Sequence, residues 1–145
     1  MIGDWVRAYP DLAREIAARH EINYETYVKT LNVEAQVMVL MSNRYILPAA
    51  LRYQKDVAES VAAVAKAGGS TKETKKVLDR FTKLLDGLRA TTDRLAKACD
   101  THAASAEKHA MFTRDTIVPL MNQLREFGDQ IEVVMPHELW PLPTY

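Results

Sequence analysis

His102 and His109, seven residues apart, are the first place to look for chemistry in this chain. They share a helix face only if one helix runs through both, and no Glu-x-x-His or His-x-x-x-His spacing accompanies them. Surface histidines beside a turn are the plainer account, and no metal ligand is expected. Gly68-Gly69-Ser70 lacks the glycine and lysine spacing that cradles a phosphate and reads as a turn. Cys99, the single cysteine, falls on an apolar helical stripe, where a thiol is a small core hydrophobe and not a nucleophile. The carboxylates stand near basic residues at helical spacing, as in Glu73 with Lys76 or Asp93 with Lys97, a pattern of solvated faces. The six methionines, Met38, Met41, Met121 and Met135 among them, fit gaps in a core. Asn43 and Arg44 lie beside Pro48, where a proline leaves a carbonyl without its partner, but no other polar groups converge on them. No catalytic, cofactor-binding or metal-binding residue is therefore predicted.

Those side chains hang on helices. At 145 residues the chain is sized for one domain, 1–145, and can bury roughly 68–70% of its unfolded surface. Five Gly and three Phe among many Ala, Leu, Val, Lys, Arg and Glu point to an all-α fold. Nineteen basic residues balance nineteen acidic ones, so the net field gives no argument for nucleic acid or an anionic membrane. Residues 71–97 carry eight Lys or Arg against four acids, and residues 126–145 four acids and no Lys or Arg, which again reads as solvated faces. A single cysteine excludes a disulfide framework, the start lacks a signal-peptide pattern, and Val37 to Met41 is too short to span a membrane. A cytoplasmic protein is expected.

Pro10-Asp11 opens a short helix over about 10–20, and Asn23 is a candidate cap for a second start, the two helices being either separate or fused. From 24 to 66 the apolar residues recur at three and four, with Pro48 as a kink. Gly68-Gly69 closes this helix, and Ser70 or Thr71 caps the next, over 71–100. Asp100, Thr101 and Ser105 are candidate caps at a reversal near 101–106, before a helix over 104–135 with a second kink at Pro119. The tail 136–145 is expected to be extended, with Trp140, Leu142 and Tyr145 presented between prolines. The prediction is an antiparallel bundle of three long helices, the first Pro-kinked, plus the short N-terminal helix and the Pro-rich tail. Because the first long helix outruns the others, its portion near Tyr24 to Ala35 should project and need a cover: the Pro10 helix, another subunit or a further domain.

Three stretches carry a family resemblance. The run Asn43-Arg44-Tyr45-Ile46-Leu47-Pro48-Ala49-Ala50-Leu51-Arg52-Tyr53-Gln54, the block from Tyr24 to Gln36, and the tail Leu139-Trp140-Pro141-Leu142-Pro143-Thr144-Tyr145 resemble, in order and spacing, the C-terminal helical region of type III glutamine synthetases. The resemblance covers about Asp11 to Tyr145. It implies a parent enzyme that condenses glutamate and ammonia using ATP and magnesium or manganese, in stacked hexameric rings. It also implies that the catalytic residues lie in preceding domains, so that none is carried over here and this chain has a structural or assembly role. The implied partners are the parent's catalytic domain and neighbouring subunits, with homo-oligomerisation. Family members continue past the tail, so the stop at Tyr145 reads as a boundary inside a longer protein. The competing reading is a free-standing helical interaction or dimerisation module without enzymatic activity.

Overall fold

The computed structural model describes residues 8–143. Among them there is helix and no strand. Helix α1 runs over Pro10–Met41, with Pro10 in the first turn, where its missing N–H costs nothing, and Asp11 at the positive end. The helices expected at 10–20 and from 24 are fused into one. No Gly or Pro interrupts the sequence there, and side-chain bonds span the region: Arg19 to Glu15 at 2.6 Å, Thr26 Oγ1 to the Ile22 carbonyl at 2.8 Å and Lys29 to Glu25 at 3.1 Å. Asn23 therefore sits inside a helix and caps nothing.

Pro48 acts through the turn before it. Residues Ser42–Ile46 form a π-helical turn, and the Leu47 N–H donates five residues back to the Ser42 carbonyl before α2 continues over Leu47–Lys66. Proline cannot donate to the carbonyl four residues before it and its ring crowds that carbonyl, so a turn widened by one residue makes room without ending the helix. From Pro10 to Lys66 the chain is thus one helical rod about 85 Å long. The same device recurs at Thr113–Ile117, where Val118 N–H reaches the Thr113 carbonyl ahead of Pro119. Each π-turn opens on a buried hydroxyl residue, Ser42 or Thr113, six positions before its proline.

Helix α2 ends as the paired glycines require. Gly68 has φ +80°, open to glycine at no steric cost, and the N–H groups of Gly68 and Gly69 bond the carbonyls of Ala65 and Val64 at 3.1 and 3.0 Å. Helix α3, Lys72–Cys99, is the centre of the molecule and contacts α1, α2 and the last long helix. Its buried stripe of Phe81, Leu85, Leu88, Leu95, Ala98 and Cys99 supplies much of the core. Thr71 precedes it as N-cap but makes no side-chain cap bond. The connection 100–105 falls where the reversal was predicted. Ser105 caps α4, Ala106–Phe112, by accepting the Lys108 N–H at 3.3 Å.

Helix α5, Val118–Val134, completes the layers. Ser42 meets Thr92, and Gln54 meets Thr82, so numbers rise along α1–α2 as they fall along α3. Gly87 lies against Phe127, and Arg94 against Gln123. Tyr53 packs edge-on to Phe81 with ring centres 4.9 Å apart. The tail is not extended throughout as predicted. After Met135 it makes a single 3-10 turn over His137–Leu139, because the Pro136 carbonyl accepts from Leu139 at 3.0 Å and from Trp140 at 3.2 Å. Beyond it Trp140 takes polyproline-like angles, φ −73° and ψ 121°, and Leu139 and Trp140 pack against the core. Trp5 and Tyr145 lie outside the described residues.

The projecting end also differs from expectation. Helices α3 and α4 both pack on α1, whose buried residues are Val28 and Ala35, and no residue of its stretch 10–27 is buried.

Candidate functional site

Apart from His102 and His109, whose ring centres lie 5.9 Å apart, the residues singled out for chemistry stay dispersed. Cys99 is buried, and burial first, then the neighbouring Asp100 carboxylate, pushes its thiol pKa up, which keeps it protonated and unreactive. Asn43 and Arg44 sit exposed on the first π-turn. Glu73 and Lys76 pair at 2.9 Å on the surface. Met38 and Met121 pack against the core and Met135 is buried in it. Asp115 is held below the usual carboxylate range by its hydrogen bond to Arg114, at 2.6 Å, on the exposed side of the second π-turn. These positions assemble no acid–base pair and no nucleophile with a base.

What the fold does assemble is a surface. Helix α1 is apolar on two sides. One stripe, Val28, Leu31, Ala35 and Met38, turns inward. The other, Ile22, Val33, Val37 and Leu40, faces solvent with relative exposures of 62%, 62%, 48% and 45%. Thr26 and Thr30 continue this outer row at spacings of three and four, so an apolar seam of helical period runs along the outside of the rod. Leu12 and Ile16 extend the apolar surface onto the arm at 10–23. A helix apolar on both sides is one that has neighbours on both sides.

Hollows flank this rod, two of them beside α1 and the elements packed on it. One, about 400 Å³, lies between Met38–Ile46, the Leu124–Glu132 part of α5 and the tail residues Trp140, Leu142 and Pro143. The other, about 550 Å³, lies between α1 and the connection from α3 to α4, with Glu21, Glu25, Asn32, His102 and His109 on its walls. Sequence reasoning missed the outer seam because the inward stripe of α1 already accounted for a helix.

Against known proteins, residues 12–65 match the family model of the glutamine synthetase C-terminal domain. That span is the α1–α2 rod, from the arm through the π-turn almost to its end. Over 139 residues the chain is 28% identical to the type-3 glutamine synthetase of Dictyostelium discoideum, covering 90% of this chain and 19% of that protein. The chain is similar to the C-terminal region of type-3 glutamine synthetase. Glutamine synthetases of Bacteroides fragilis (strain YCH46) and Butyrivibrio fibrisolvens match at 24% and 26% identity, each again over 90% of this chain. The chain therefore spans about a fifth of the length of these glutamine synthetases. Among the described residues no helix is long and apolar enough to cross a membrane.

Proposed function

We propose that this domain serves a type III glutamine synthetase as a non-catalytic assembly element. In this reading it is an antiparallel bundle of three long helices with a docked Pro-rich tail, and the outer seam of α1 is the surface on which the catalytic body or a neighbouring subunit packs. The observation that carries it is the exposed row Ile22, Val33, Val37 and Leu40 on the helix that matches the family model. Rows of this kind are covered in the assembled state. The parent enzyme joins glutamate and ammonia at the expense of ATP with magnesium or manganese, in the cytoplasm, through residues outside this chain.

The test is Val33→Glu with Val37→Glu in the full-length enzyme. Both positions are solvent-facing, so the domain keeps its helicity by circular dichroism while light scattering reports loss of the assembled particle and glutamine formation falls with it. Retention of particle mass and activity refutes the role. Calorimetry of the 145-residue chain with Mg-ATP should show no micromolar binding. Self-association of the chain alone through the same seam would favour the free-standing dimerisation module instead.

A further inference from the structure

The turn between His102 and His109 brings them together. Helix α3 stops at Cys99, the chain doubles back through 100–105, and α4 starts at Ala106. The two imidazoles meet edge to face with ring centres 5.9 Å apart and planes at 88°. Two imidazoles sharing one zinc ion, with Zn–N bonds of about 2.0–2.1 Å and a near-tetrahedral angle, hold their ring centres about 5–6 Å apart. The separation is already that of a shared ion. His102 is exposed on the connection, so a side-chain rotation is sterically open to it and would turn an edge contact into two converging nitrogens.

The opposite wall of the cavity supplies oxygen. Glu21 and Glu25 are one helical turn apart on α1, a like-charged pair that a cation relieves. Lys29, the cation among the lining residues, is held by Glu25 at 3.1 Å, whereas Glu21 makes no ion pair among the described residues. Asn32 lines the same cavity, and its Oδ1 is buried without a hydrogen-bond partner. Among the described residues no three His, Cys, Asp or Glu side chains already stand close enough to enclose an ion. The site is therefore a pair of neighbouring imidazoles that a rotation of His102 converts into two converging donors, with a carboxylate that swings in from a solvent-facing helix.

We propose that His102 and His109 bind one zinc ion, with Glu21 closing the site from α1. Imidazole and carboxylate suit zinc, whereas magnesium and calcium take oxygen donors and retain water. Bound metal ties α1 to the connection between α3 and α4, beside the packing of α4 on α1.

The experiment is calorimetric titration of the metal-stripped 145-residue chain with zinc chloride near neutral pH, paired with proton NMR of its four histidines. One ion per chain should bind with micromolar affinity and shift two imidazoles. His102→Ala and His109→Ala should each weaken binding about tenfold or more, and Glu21→Gln by a smaller factor. His20→Ala and His137→Ala should leave it unchanged, and excess magnesium should not compete. His102 is exposed and His109 half-buried, so unchanged circular dichroism of the double variant assigns any loss of binding to lost ligands. Absence of saturable binding, affinity equal in the double variant, or a loss that follows His20 or His137 overturns the proposal. If the double variant loses its helicity, His102→Ala alone decides.

Discussion

Gly87 and Gly128 both sit in the interior of a helix, and the structure sets opposite expectations for replacing them with alanine. A Cβ built on Gly87 would stand 2.4 Å from both Cε1 and Cζ of Phe127 and 3.2 Å from its Cδ1. Carbon contacts are comfortable at about 3.5–4.0 Å, so the ring must retreat by about 1 Å. Overpacking of this kind costs about 1–3 kcal/mol. Against it stands the gain from replacing a helical glycine, about 1 kcal/mol. Gly87→Ala should therefore lose on the order of 1 kcal/mol, read as a lower midpoint in urea unfolding followed by circular dichroism. In a Phe127→Leu background the obstructing ring edge is gone, and the same substitution should instead gain up to about 1 kcal/mol. At Gly128 the nearest atom to a built Cβ is Ile46 Cδ1 at 4.0 Å, an ordinary contact. Gly128→Ala should therefore stabilise by about 0.5–1 kcal/mol with no second substitution. If Gly87→Ala is as stable as the native chain in both backgrounds, the close approach of α3 to α5 at this point is wrong.

Two further outcomes follow from buried groups. Thr92 donates to the Leu88 carbonyl at 2.8 Å, so in its 2.8 Å contact with Ser42 the serine is the donor. Thr92→Val leaves that buried donor unpaired and should cost about 1–3 kcal/mol, whereas Ser42→Ala should cost only about 0.5–1.5 kcal/mol. Urea midpoints in the reverse order would refute the assigned proton direction. Cys99 should react slowly with a thiol reagent while folded and rapidly in denaturant, the folded rate rising only as pH passes the ordinary thiol range. Since the folded thiol is held protonated, its contribution to stability is complete below that range and lost as pH rises through it. Fast labelling at neutral pH would show the thiol to be exposed.

Local chemistry was enough to read the helices and their ends from the sequence. Alanine-rich, glycine-poor composition and apolar residues at three and four specify helix, two adjacent glycines specify the left-handed stop after Lys66, and Ser105 restarts a helix because its hydroxyl meets an otherwise unpaired N–H. The family resemblance was equally local, since it rests on runs of residues within one helix and one tail. Decisions that depend on neighbours were not legible. Pro48 and Pro119 announced a disturbance, but whether it becomes a bend, a stop or a widened turn depends on what packs beside Ser42 and Thr113. Continuity of α1 through Asn23 required weighing a weak cap against an unbroken ladder of hydrogen bonds, and the ladder prevails where nothing interrupts it. The meeting of His102 and His109 was missed because sequence spacing measures distance along a helix, while a turn measures it through space. Gly87 carries no mark in the sequence. Only the ring of Phe127, forty residues along the chain, makes it a place where a methyl group does not fit.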